Sequence, residues 1–173
     1  MKYLTALLLC ILLSSFTLSG GAPVSDSERW LYAVESDIIR LHNEKRAELG
    51  LTKLVPDERL HLASRTRSSE MFRYDYFAHS RPNGDAWFTV LDEAGVSGYY
   101  ASENIAKGSQ QGGAAAAQDI LCAQFWQSEW ENSPPHREAI IDPGVSSIGV
   151  GFYYVETGGF VAVYGTVLFA AIM

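Results

Sequence analysis

Two histidines and one glutamate carry the chemistry that this sequence could perform. His79 sits in YFAHSRPNG, Glu103 in ASENIA, and His136 just after a Ser-Pro-Pro break in WQSEWENSPPHREAII, Trp126 to Ile141. The three are far apart in the chain, and each falls at the end of a predicted element, where polar side chains line clefts. Two imidazoles and a carboxylate are chemically adequate to hold Zn²⁺ with water in an open position, and such water could be activated for hydrolysis. Taken singly, each residue serves equally well as a cap or tie for its own loop. Taken together they read as one shared site. The chain has no HExxH helix. Ser80 beside His79 and Ser102 beside Glu103 are neighbours in sequence only, which does not make an aligned nucleophile.

The elements that must position these residues follow from periodicity. Glu28 to Gly50 reads as a helix with Val34, Ile38, Leu41 and Leu49 near one stripe, and His42 at its edge as a structural or solvent-facing residue. Pro56 and Asp57 open a second helix with Asp57 as N-cap. Leu60, Ala63, Arg67 and Met71 mark one line on it, and Arg67 and Glu70, three apart, can pair. RPNGD is a turn, and Asp85 caps a short helix, AWFTVLDEAG, anchored by Trp87, Phe88 and Leu91. Tyr99 to Ile105 is a short extended piece carrying Glu103, and Lys107 to Gly113 a polar, glycine-rich surface loop. Ala114 to Trp130 is a long helix with Cys122, Trp126 and Trp130 stacked at i, i+4 and i+8, its cysteine a buried, inert thiol. Ser133 then caps a last helix whose first turn takes the two prolines and His136. The positive end of that helix favours the neutral imidazole, the form a metal needs.

After the Asp142-Pro143-Gly144 turn the period changes to two. Ile148, Val150, Phe152 and Tyr154 share one strand face; after Thr157-Gly158-Gly159, a second strand alternates through Phe160, Ala162, Tyr164, Thr166 and Leu168. Both faces are largely apolar, so the sheet needs helices on both sides. The expectation is an α+β fold, a three-layer α-β-α sandwich with a central antiparallel sheet.

The 173 residues suit one domain behind a leader. Residues 1–21 read as a secretory signal peptide: one early lysine, an apolar run from Leu4 to Leu13 too short to span a bilayer with comfort, then small residues. Residues 22–34 form a lead-in and 35–171 the domain. With 13 Lys+Arg against 20 Asp+Glu and a net charge of -7, the chain offers no basic patch, which disfavours nucleic acid and acidic membrane surfaces as partners. Cys122 is the one cysteine outside the leader, so no internal disulfide is expected. With no wall-binding repeat, sorting signal or anchor in the sequence, the expectation is a released, monomeric protein without stable membrane insertion.

LHNEKRAELGL from Leu41, the helix Leu60 to Glu70, F-x-H-x-RPNG at Phe77 to Gly84, ENIA-x-G at Glu103 to Gly108, W-x-x-S-x-x-H at Trp130 to His136, and IGVG at Ile148 to Gly151 occur in this order. Each is weak alone; at these distances they are specific together. The chain resembles a bacterial member of the CAP superfamily (SCP domain), named for cysteine-rich secretory proteins, antigen 5 and pathogenesis-related 1 proteins. The resemblance implies an α-β-α sandwich with a central cleft, lined in eukaryotic members by two histidines and two glutamates, the histidines able to hold zinc or another divalent ion. It carries His79 onto the first histidine, Glu103 onto the glutamate of the ENI motif, and His136 onto the second histidine. The second glutamate is a departure. Ser133 stands three after Trp130, as in many bacterial members, and Glu129, which follows Trp126 by the same spacing, is the candidate substitute. The eukaryotic disulfides are absent, and Ser102 stands where a glycine is common.

The reading that follows is a secreted, non-catalytic CAP-domain binding module. Its metal site comprises His79 and His136, with Glu103 and Glu129 as further candidates for a weakly bound Zn²⁺ or other divalent cation, and its extracellular partner is a lipid, a glycan or a protein. The alternative is a metal-dependent hydrolase of peptide or cell-wall substrates, with Glu103 as base or third ligand. The two differ in whether Glu103 points at the metal or bonds a histidine ring nitrogen, since a partner of the latter kind orients a ligand without implying turnover.

Overall fold

The computed structural model describes residues 26–112 and 122–172; the apolar leader and the alanine-rich opening of the predicted long helix lie outside them. The elements in chain order are α1 (Asp26–Glu48), β1 (Val55–Pro56), α2 (Glu58–Arg73), α3 (Thr89–Glu93), β2 (Tyr99–Gln111), α4 (Ala123–Asn132), α5 (Pro134–Ile141), β3 (Ser147–Thr157) and β4 (Phe160–Ile172).

The sheet order is β1-β3-β4-β2. The alternating apolar residues of β3 and β4 make them the central pair, joined by Gly158-Gly159 with φ of +58° and +80°. Two successive positive φ values match the twist of a two-residue hairpin. The strands β2, β4 and β3 are antiparallel, whereas β1 pairs parallel to β3 through Val55↔Ser147 and Pro56↔Ile148. A two-residue strand has no period to read, which is why Pro56 looked like part of the second helix. Asp57 does cap α2, accepting from the N–H groups of Arg59 and Leu60.

Each sheet face carries its own helical layer. On one face Val34 and Ile38 of α1, Trp126 and Trp130 of α4 and Ile140 of α5 meet Val150, Phe152, Val163, Val167 and Phe169. On the other, Leu60 and Ala63 of α2 and Val90 and Leu91 of α3 meet Leu168 and Ala170. This is the expected three-layer α-β-α sandwich. IGVG fixes the second layer: a Cβ on Gly149 would lie 2.1 Å from the Leu60 carbonyl carbon, and one on Gly151 2.2 Å from the Arg65 nitrogen. The helix therefore rests directly on strand backbone, and Ser64 and Ser68 donate hydroxyl hydrogen bonds to the Gly149 and Gly151 carbonyls at 3.0 and 2.7 Å. At the β3 edge Glu35 accepts from the Phe152 N–H at 2.9 Å and takes both arms of Arg65, so one carboxylate clamps the two helical layers around that edge.

Several local expectations are corrected. Leu49 is 53% exposed, because α1 ends at Glu48 before the stripe reaches it. Lys107–Gln111 is not a loop but the second half of β2, paired from Tyr164 to Phe160. The short helix begins at Thr89 without a side-chain cap; Asp85 instead accepts from the Asn83 amide in the turn. Phe88 is exposed. Cys122 is half-buried at the N-cap of α4, its thiol 2.9 Å from the Gln124 Oε1.

Candidate functional site

The ENI motif lies in β2, an edge strand, and its consecutive residues face opposite helical layers. Glu103 pairs with Leu168 and faces α2; Asn104 pairs with Val167 and faces α4 and α5. Each holds one histidine segment. Glu103 Oε2 accepts from His79 Nδ1 at 2.7 Å, and Asn104 Nδ2 donates to the His136 carbonyl at 2.9 Å. The two histidines thus approach β2 from opposite layers.

His79 reaches Glu103 because its loop is tied on both sides. Arg67 projects from the inward line of α2 and is fully buried, as is the Glu103 carboxylate: both side chains are 0% exposed. Its Nε donates to Glu103 Oε1 at 2.7 Å, one terminal nitrogen to the carbonyls of Ala78 and His79 at 2.9 and 3.3 Å, and the other to the Tyr76 hydroxyl at 2.5 Å. The expected partner, Glu70, is only a longer contact at 3.6 Å. Glu70 instead receives Arg81, which also donates to Glu93 Oε1 at 2.5 Å and so fastens the far side of the loop to α3. The His79 side chain remains 55% exposed at the end of this frame.

The electrostatics separate the histidines. Glu103, ion-paired with Arg67, is an acceptor, so neutral His79 carries its proton on Nδ1 and leaves the Nε2 lone pair free. The hydrogen bond to Glu103 raises the His79 pKa above the ordinary imidazole value, against burial and the Arg67 charge. Burial, and secondly the His79 charge, lower that of His136. His136 lies in the first turn of α5 behind Pro134 and Pro135, as its sequence predicts, and its ring has no hydrogen-bond partner among the described residues.

The structure therefore brings His79 and Glu103 into direct contact and couples His136 to them through Asn104 and through charge. Glu129 is exposed on α4 and makes no hydrogen bond or ion pair among the described residues. Those residues contain no cluster of three His, Cys, Asp or Glu side chains arranged as a metal cage. His79 and His136 are two imidazoles that could hold a divalent cation only with water completing the shell; Glu103, spent on Arg67 and His79, would orient one donor rather than coordinate. Sequence reasoning missed Arg67 and Asn104. Arg67 did carry a signal, since it occupies a core-facing position among Leu60, Ala63 and Met71. The concavity lined by Tyr32, Glu35, Asp57 and His61, about 360 Å³, lies instead beside β1 and β3, and neither His79 nor His136 lines it.

This fold and these motifs define a CAP domain. Residues 39–169 match CAP, the cysteine-rich secretory protein family, and the chain belongs to that family. It is 35% identical over 126 residues to the uncharacterized protein YkwD of Bacillus subtilis (strain 168), covering 73% of this chain and 44% of YkwD. It is 30% identical over 125 residues to the uncharacterized membrane protein YlbC of the same organism, covering 70% and 33%. The chain thus spans less than half the length of these relatives. Among solved structures it is similar to an extracellular protein containing a SCP domain from Bacillus anthracis str. Ames, with TM-score 0.63 and 20% identity over 84% of this chain and 44% of that one. It is also similar to an outer surface protein from Borrelia burgdorferi, with TM-score 0.61 and 20% identity over 86% and 97%. No helix among the described residues is long and apolar enough to cross a membrane.

Proposed function

We propose that this chain is an exported, non-catalytic binding module whose His79 and His136 imidazoles hold a divalent cation weakly, and whose partner is an extracellular lipid, glycan or protein. The observation that supports this reading is the commitment of Glu103. Both its oxygens are spent inside the protein, on Arg67 and on His79 Nδ1, so Glu103 is not free to act as general base. A hydrolase needs such a base within reach of the attacking water. A bound cation would supply a positive centre for an oxygen of the partner. The protein would supply two imidazole donors, one oriented by Glu103 and one held neutral by burial.

Zinc titration by calorimetry tests the reading. The wild-type protein binds, and His79→Ala and His136→Ala each abolish binding while their urea midpoints stay close to wild type. Glu103→Gln weakens affinity by about 10–100-fold, the usual effect of losing a group that orients a metal-bound histidine. The absence of any zinc heat in the wild type overturns the cation site. Zinc-dependent cleavage of peptide or cell-wall material, lost in Glu103→Gln, moves the protein to the hydrolase class.

A further inference from the structure

Three buried polar atoms without a hydrogen-bond partner among the described residues lie on side chains linked through the His42–Phe169 ring pair. They are His42 Nε2 from α1, Trp130 Nε1 from α4 and Ser102 Oγ from β2. The His42 ring is stacked on Phe169 at 5.7 Å with 9° between planes, and Trp130 meets His42 edge-on at 5.9 Å. Ser102 is the cross-strand neighbour of Phe169, so its side chain stands on the same face of the sheet.

The hydrogen-bonding characters of the imidazole and indole atoms are fixed and complementary, and the hydroxyl adapts to either. The Gln127 amide N–H₂ donates to Glu131 Oε1 at 2.5 Å, which turns its carbonyl oxygen toward His42 Nδ1, also at 2.5 Å. His42 must then donate from Nδ1, and its Nε2 is a bare acceptor. The Trp130 indole can only donate, and the Ser102 hydroxyl does either. Burial holds His42 neutral, its pKa lowered to about 4, with the Arg46 charge acting in the same direction. Buried polar groups of this kind are very rarely left unpaired, and a buried water typically makes about three hydrogen bonds.

We infer that His42 Nε2, Trp130 Nε1 and Ser102 Oγ form an internal binding site for one structural water, which accepts from the indole, donates to the imidazole and closes on the serine hydroxyl. The water joins α1, α4 and β2 at a single point. Ser102 lies one same-face step along β2 from Asn104, whose amide holds the His136 carbonyl. The site therefore sets β2 against α1 and α4, the helical layer in which α5 and its His136 also lie. It does not depend on whether a cation binds there.

Proton spectroscopy of the ¹⁵N-labelled protein tests it. The Trp130 Nε1–H resonance shows a cross-peak to a long-lived water in the wild type. That cross-peak is lost in His42→Phe, which removes the acceptor while keeping a ring against Phe169, and it weakens in Ser102→Ala, which trims a single hydroxyl. Absence of a water cross-peak in the wild type overturns the inference. So does scalar coupling between Trp130 Nε1 and His42 Nε2, the mark of a direct hydrogen bond, or a cross-peak unchanged in both variants. The wild-type spectrum decides the matter even if a variant fails to fold.

Discussion

Replacing Arg67 by methionine lowers the free energy of unfolding by about 3–5 kcal/mol, the range found when one member of a buried ion pair is removed. The stem packs much as before, so the loss is electrostatic. Glu103, with no side-chain exposure, loses its ionic partner, and the Ala78 and His79 carbonyls lose their donor. The pairing of the two charges makes a specific further demand. Arg67→Met combined with Glu103→Gln recovers much of the loss, because a neutral amide no longer needs a buried cation, and the cycle isolates the coupling. Urea unfolding of the two single variants and the double variant checks this. A cost below about 1 kcal/mol for Arg67→Met, the level of an exposed pair, would contradict the buried arrangement.

The second large effect is loss of stability in acid through His42. Its pKa falls from 6.5 to about 4 in the folded protein, chiefly through burial. The folded state therefore prefers the neutral ring, and this contribution is fully present above pH 6.5. Between pH 6.5 and about 4 the unfolded chain takes up a proton that the folded one refuses. Stability falls across that window, by about 3 kcal/mol in all at 1.36 kcal/mol per pH unit. His136, whose pKa is also lowered, acts in the same direction, and His79, whose pKa is raised, acts in the opposite one. The difference between wild type and His42→Phe across the pH series isolates the buried ring. Parallel stability curves for the two proteins would show that His42 is not buried neutral.

The parts of this fold legible in the sequence are those whose signal is local. Period-two runs and a Gly-Gly turn specify the β3–β4 hairpin, and Asp57 and Ser133 mark where α2 and α5 begin. The parts that were not legible depend on partners distant in the chain. Lys107 to Gln111 is polar and glycine-bearing, as an edge strand can be, and only its pairing with β4 makes it a strand. Arg67 and Glu103 are 36 residues apart, and each alone looks like a solvated charge. His42 sits at the margin of its helix's apolar stripe, and its burial depends on Trp130 and Phe169 arriving from the other end of the chain. His79, Glu103 and His136 were legible as candidates, and the structure joins the first two directly, but their division of labour was not legible. That division needs the Arg67–Glu103–His79 contacts and the two-sided position of β2.

The account turns on the claim that Glu103 fixes His79 as the Nδ1–H tautomer and leaves Nε2 as the free donor. Long-range ¹H–¹⁵N correlation of the histidine rings, before and after zinc addition, tests this most directly. The predicted result is that neutral His79 shows a protonated Nδ1 and a bare Nε2. Zinc then shifts His79 Nε2 and one His136 nitrogen while His79 Nδ1 keeps its proton. A bare Nδ1 on neutral His79, or zinc appearing on Nδ1 with Glu103 released, would contradict the account and return Glu103 to the role of ligand or base.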